Sequence, residues 1–177
     1  MNKNILDQMY YWDSMFSLEE YDKIDKLMPS YKWQFIGSSD VEKSRMFWQL
    51  DLQTSGFLNK LFKSKVEEIL KVQIQPDRLY ANAQAHGQTG YIHQDVQPEE
   101  ESIYGTLVYF FQSKWLPEYG GHLIFVNEEE TDVIHSVFPK TNSAILFNSK
   151  IKHMALDPSV YCKNQRISIA YKFKVIE

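Results

Sequence analysis

A chain of 177 residues is long enough to bury a substantial core as one domain, and its single cysteine, Cys162, excludes an internal disulfide and a cysteine-based zinc site. With 19 basic and 23 acidic residues the net charge is −4, which supplies no global attraction for nucleic acid. No stretch reaches the ~18 apolar residues of a membrane span, and the opening MNKNILDQMYYWDS lacks the apolar segment and cleavage site of a secretory signal. The expectation is a soluble cytoplasmic protein with neither membrane nor nucleic acid as a partner, and an aromatic content of 15% suits a β-rich interior.

In chain order, Ser17 stands three residues before Glu20 in a capping-box pattern. Leu18, Tyr21, Ile24, Leu27 and Met28 then recur at helical spacing, which predicts a helix over about 18–28 that stops before Pro29. Strands are predicted over 31–37 and 46–52, with Gly37-Ser38-Ser39-Asp40 as turn material between them. From Ser55 to Val72, Phe57, Leu58, Leu61, Phe62, Val66, Ile69 and Leu70 lie on one stripe of a helix suited to packing on a sheet. Further strands are expected over 78–84, 103–111, 121–127, 132–139, 144–148 and 167–175. The result is a mainly β fold with N-terminal helices, a sandwich or barrel without repeats or linkers.

Within it, Gly90-Tyr91-Ile92-His93-Gln94-Asp95-Val96-Gln97-Pro98-Glu99 places an imidazole and a carboxylate two positions apart. On an extended backbone such residues share a face, so His93 and Asp95 can grip one metal ion. His153 supplies a third donor beside another β-rich run, with Arg166 thirteen residues beyond. Two histidines and one carboxylate are the donor set that holds non-haem Fe(II) on one face and leaves the other open.

The ordered motifs Thr89 to Asp95, Thr106 to Trp115, Glu118 to Phe125, Phe138 to Phe147, His153 and Arg166-Ile167-Ser168 resemble the 2-oxoglutarate and Fe(II)-dependent dioxygenases, in their prolyl 4-hydroxylase-like branch, over about residues 78–175. The resemblance implies a double-stranded β-helix, or jelly roll, with residues 1–177 as a single dioxygenase domain: support over about 1–77 and the β-helix core over about 78–177. It implies that His93, Asp95 and His153 are the iron ligands. Arg166 then takes the far carboxylate of 2-oxoglutarate, a role suited to a planar bidentate donor, with Lys163 as its rival. Thr106, Val108 and Phe110 match positions that line the cosubstrate pocket. Where the branch often has tyrosines, this chain has Phe110 and Gln84, so Tyr104, Tyr109 or the Gln84 amide becomes the substitute. The cofactors implied are Fe(II), 2-oxoglutarate and O2, with ascorbate as an additional candidate. The reaction is hydroxylation of a substrate C–H with succinate and CO2 as coproducts.

Three functions compete: hydroxylation of a prolyl residue in a protein or peptide, the same chemistry on a small molecule or nucleobase, and a non-catalytic jelly-roll binding protein. The loops near 37–45 and 84–90 separate the first two. His86, Tyr91 and Trp115 are the candidates to face substrate, although an ordinary loop histidine and a core anchor are the favoured readings of His86 and Trp115. His122 and His135 read as sheet-surface residues, Gly120-Gly121 as a tight turn, and Glu99-Glu100-Glu101 and the lysines 60, 63, 65 and 71 as solvated charge.

Overall fold

The computed structural model describes residues 5–39, 44–112 and 114–176. In chain order the elements are β1 (Tyr10–Trp12), α1 (Leu18–Leu27), β2 (Gln34–Gly37), β3 (Phe47–Asp51), α2 (Gly56–Leu70), β4 (Gln73–Gln84), β5 (Tyr104–Phe110), β6 (Leu123–Val126), β7 (Val133–Val137), β8 (Ala144–Asn148), β9 (His153–Ala155) and β10 (Arg166–Ile176). Seven strands form a sheet in the order β1-β8-β5-β10-β4-β3-β2, and three form a second sheet, β7-β6-β9. All the pairings are antiparallel, so each strand sorts its residues between two faces.

That sorting builds the interior. On β5, Leu107 and Tyr109 join the cluster made with the helices, together with Ala144, Leu146, Ile169, Tyr171 and Phe173. The intervening Val108 and Phe110 join Ile145 and Phe147 against Leu123, Phe125 and Val137 of the smaller sheet. The large sheet therefore has helices on one face and the jelly-roll interior on the other. Leu58, Phe62, Val66 and Leu70 are the buried stripe of α2. Phe62 meets Phe16, Tyr109 and Tyr171 ring to ring, at centroid separations of 5.3, 5.9 and 5.7 Å. Gly105 permits a close approach of another kind, because a Cβ there would collide with the ring of Phe173.

The local rules hold at the helix ends. Ser17 Oγ accepts from Glu20 N while Glu20 accepts from Ser17 N, the reciprocal cap, and α1 gives way to a 3-10 turn at Met28–Ser30. Ser55 caps α2, which ends at Leu70, two residues short of the predicted Val72, with its cap Lys71 in the left-handed region (φ 56). Phe57 leaves the expected buried stripe and is exposed. Residues 31–33 are not in the strand predicted there. Beyond the predicted set, β1 pairs with β8 and β9 pairs with β6. These three-residue strands are too short to show an alternation of their own. Strand β4 begins five residues earlier than expected and carries Pro76 through an irregularity opposite Lys172/Phe173, a place where a sheet tolerates a residue without an N–H. Asp40 of the predicted turn and Ser113 of the β5 motif lie outside the described residues. No helix among the described residues is long and apolar enough to cross a membrane.

Candidate active site

The two histidines of the motif meet through the backbone before their rings meet. His93 and His153 form an antiparallel bridge in which each N–H donates to the other's carbonyl at 3.0 Å. Asp95 N is tied to Ser149 O at 2.9 Å. The ring Nδ1 of His93 lies 2.9 Å from Tyr91 O, and that of His153 lies 2.8 Å from Ile151 O. A carbonyl can only accept, so each Nδ1 carries the proton and each Nε2 offers its lone pair, the tautomer a metal requires. Both Nε2 atoms stand 3.7 Å from an oxygen of Asp95, and one donor atom from each of the three residues fits within a 4.8 Å span.

Asp95 is anchored on both oxygens. Lys172 Nζ lies 2.6 Å from Oδ1, and Thr106 Oγ1, itself 2.8 Å from Ser149 Oγ, donates to Oδ2 at 2.5 Å. Burial would raise the carboxyl's pKa, but the facing His153, Lys172 and His93 outweigh it and hold the group well below its usual value. His153 is pushed the other way. Its burial lowers the imidazole pKa to about 4, so the ring is neutral and ready to ligate at neutral pH. Edge contact with Phe147 at 4.8 Å between centroids fixes the ring.

Deeper in the jelly roll lies Arg166, 1% exposed. Its Nε donates to Gly121 O at 2.6 Å, and Nη1 reaches Gln84 Oε1 at 3.1 Å and Ser168 Oγ at 3.3 Å. Nη2 has no partner. Burial draws the guanidinium pKa down to about 10, which leaves it charged at neutral pH, and no carboxylate among the described residues pairs with it. A small cavity, about 60 Å³, is lined by both Arg166 and the triad. A buried cation with an unused fork arm, sharing a cavity with three aligned metal donors, is chemically complementary to a carboxylate ligand that also reaches a metal. Gly121 makes room for it: at φ +72 the residue suits glycine, and a Cβ would lie 3.1 Å from Arg166 Cδ.

The 2OG-Fe(II) oxygenase superfamily model matches residues 79–174, more than half of the chain. The chain belongs to this superfamily. Its cofactors are those of the family, Fe(II), 2-oxoglutarate and O2, and the donor set and the charged fork just described fit the first two. An oxidoreductase of the 2OG-Fe(II) oxygenase family from Burkholderia pseudomallei superposes with a TM-score of 0.74 at 12% identity, over 94% of this chain and 84% of that one. A Pseudomonas putida prolyl-4-hydroxylase gives 0.68 at 12% identity over 96% and 93%. The viral collagen prolyl hydroxylase of Paramecium Bursaria Chlorella virus-1, solved as a 2OG complex, gives 0.68 at 15% over 95% and 96%. These likenesses establish the jelly-roll fold. No curated protein matches the sequence.

In this oxygenase the predicted site residues divide. Val108 and Thr106 line the small cavity with the triad and Arg166, but the Thr106 hydroxyl is engaged with Asp95. Phe110 is outside that lining and lies under Arg166, ring centre 5.3 Å from Cζ. Gln84 acts on Arg166 through its oxygen, and its Nε2 is spent on Gln88 O at 2.8 Å. Lys163 is exposed on the loop before β10, outside the cavity. Tyr109 turns its hydroxyl to Asn142 in the helix-side core, 3.0 Å away, and Tyr104 lies outside both cavities around the triad. Neither substitutes for the branch's tyrosines.

The three residues expected to face substrate lie outside the lining of both cavities around the triad. His86 turns to Pro158 O at 3.1 Å and Asp157 at 3.3 Å, which tie down its loop. Tyr91 sits beneath Arg45 (4.1 Å) with its hydroxyl on Ser44, contributing to the site through its carbonyl. Trp115 is a buried anchor whose Nε1 donates to Gly120 O at 3.0 Å. The sequence reading missed Tyr80 and Asn82, which line both cavities, and Lys172 on Asp95. The available signal was alternation: Tyr80 and Asn82 precede Gln84 by four and two residues, and Lys172 follows Arg166 by six.

Proposed function

We propose that the protein is a hydroxylase acting on a prolyl residue in a protein or peptide, with residues 1–177 working as one dioxygenase domain in the cytoplasm. In this reading His93, Asp95 and His153 hold Fe(II), and Arg166 takes the distal carboxylate of 2-oxoglutarate. The observation that carries it is the Nη2 of a fully buried Arg166, without a partner among the described residues, in the same cavity as Asp95 and two histidines already in ligating tautomers.

When bound, Fe(II) supplies the activation of O2 coupled to conversion of 2-oxoglutarate into succinate and CO2. The chain's residues orient and shield that chemistry. The backbone bridge sets the two imidazoles, and Lys172 and Thr106 hold the carboxylate of Asp95. Val108, Leu123 and Ala170 keep the cosubstrate end apolar and limit water there. The prolyl assignment draws support from the prolyl hydroxylases that share the fold and from an open cleft of about 350 Å³ beside His93 and Asp95.

Under anaerobic conditions Fe(II) with 2-oxoglutarate should give the visible charge-transfer band of the chelate, and His93→Ala or His153→Ala should abolish it. An intact protein that neither shows the band nor binds 2-oxoglutarate defeats the reading. Turnover against proline-containing peptides, free amino acids and nucleic acids, followed by mass spectrometry for the gain of one oxygen atom, tests the substrate class. A gain confined to free amino acids or nucleic acid removes the prolyl-peptide assignment while leaving the oxygenase.

A further inference from the structure

Antiparallel pairing of β10 with β4 sets the residues of one sheet face in rows: Arg166 opposite Gln84, Ser168 opposite Asn82, Ala170 opposite Tyr80, and Lys172 opposite Arg78, the last exposed. The ladder thus begins at the cosubstrate cation and ends, six residues along β10, with two cations directly across from each other. Like charges in that arrangement repel and weaken a sheet. Both flank Tyr80, whose ring centre is 4.9 Å from Arg78 Cζ and 5.5 Å from Lys172 Nζ. Both also line the open cleft next to His93 and Asp95.

Little in the protein offsets this pair. Arg78 makes no ion pair among the described residues. Asp51, its diagonal neighbour through Tyr80, is engaged with Gln53 N at 2.8 Å. Lys172 is buried, and among the described residues its one acidic partner is Asp95, the carboxylate of the donor triad. Among the described residues the cleft is therefore lined by two cations and a single acid that the metal site also claims. Lys172 shares its acid with the donor triad, and the exposed Arg78 has none among the described residues, so a ligand's carboxylate arriving in the cleft completes the pairing of both.

We infer that the cleft selects a substrate carrying a carboxylate close to its reacting carbon, held by Arg78 and Lys172 at the end of the ladder opposite Arg166. This rests on the prolyl hydroxylase reading and deepens it: the target is a proline whose own carboxylate is free, or one flanked by an acidic side chain. The guanidinium of Arg78 at the mouth makes the first contact, and the Lys172 ammonium lies further in beside Asp95.

The test uses the full chain loaded with Zn(II) and saturating 2-oxoglutarate, with binding measured by calorimetry. The probes are matched pairs, N-acetyl-L-proline against its amide and an end-capped Gly-Pro-Glu against Gly-Pro-Gln. At least one acid should bind roughly tenfold more tightly than its neutral partner, about 1.4 kcal/mol, and high salt should erode the preference. Arg78→Gln, a change at an exposed position, should reduce it to threefold or less (~). A preference confined to the first pair identifies the free carboxylate, and one confined to the second identifies the flanking side chain. Equal affinities within both pairs, no binding by any acid, or a preference unchanged in Arg78→Gln overturns the inference. The anaerobic Fe(II) chelate band separates the two levels. Its presence with no acid preference removes this inference alone, and its absence removes the oxygenase reading as well.

Discussion

Replacing Arg166 by methionine isolates the cosubstrate cation from the iron donors, because no atom of Arg166 is bonded to His93, Asp95 or His153. A hydrogen bond to a charged group contributes about 1.5–3 kcal/mol. Pairing the free Nη2, with the accompanying charge attraction, gives an expected loss of about 3 kcal/mol, or ~100-fold in 2-oxoglutarate affinity. The ligand-free fold should respond far less. The wild type buries a guanidinium with no carboxylate, a cost of several kcal/mol, whereas the variant strips Gly121 O and Gln84 Oε1 of a donor at about 1–3 kcal/mol each. These effects oppose one another. With Zn(II) present, 2-oxoglutarate at ~100 times its dissociation constant should stabilise the wild type by about 2.7 kcal/mol, raising Tm by roughly 5–11 °C for a chain of this size. At the same concentration it should scarcely move Arg166→Met. Calorimetric titration and thermal melts measure both quantities. A variant that binds 2-oxoglutarate within about threefold of wild type, or that gains the same Tm, would refute the assignment of Arg166.

Thr106→Val removes the hydroxyl that donates to Asp95 Oδ2 while keeping the side-chain shape. Metal affinity by competition with a chromophoric chelator should fall about 10–100-fold with little change in Tm, and unchanged affinity would make that contact incidental. Gly121→Ala places a Cβ against Arg166 Cδ on a backbone with φ +72. It should cost about 1–3 kcal/mol and weaken 2-oxoglutarate binding, whereas Gly87→Ala, also at positive φ but with open space around it, should leave binding intact. Phe62→Ala hollows the helix-side core and should cost about 3–5 kcal/mol in urea melts, with the Fe(II) chelate band retained in the folded fraction. Loss of the band at temperatures where the variant is still folded would mean that the α2 packing also sets the metal site.

The helices were legible because their signals are local. Ser17 with Glu20 marks one start, and the apolar spacing of Leu58, Phe62 and Val66 marks the second helix whatever lies opposite. Strand β8 was read residue for residue, since Ala144 to Asn148 is a compact apolar run between turns. Strands β1 and β9 depend on partners distant in sequence: Tyr10 pairs with Leu146 and Ala155 with Leu123. Three residues carry too little pattern to announce such a pairing.

The site divides along the same line. His93, Asp95, His153 and Arg166 belong to an ordered motif, and chemistry alone limits what two imidazoles, a carboxylate and a guanidinium can hold together. Their neighbours are specified by pairing register instead. Lys172 lies on Asp95 because β10 keeps one face inward from Arg166 through Ser168 and Ala170, and its placement opposite Arg78 follows from the uninterrupted pairing with β4, the irregularity where Pro76 enters coming only beyond it. In the sequence Arg-Leu-Tyr and Tyr-Lys-Phe look like ordinary sheet segments with an exposed charge. Register turns them into the cationic end of a ladder whose opposite end is Arg166. The motif therefore points to the oxidation chemistry, whereas strand pairing creates the charge pattern that a substrate meets.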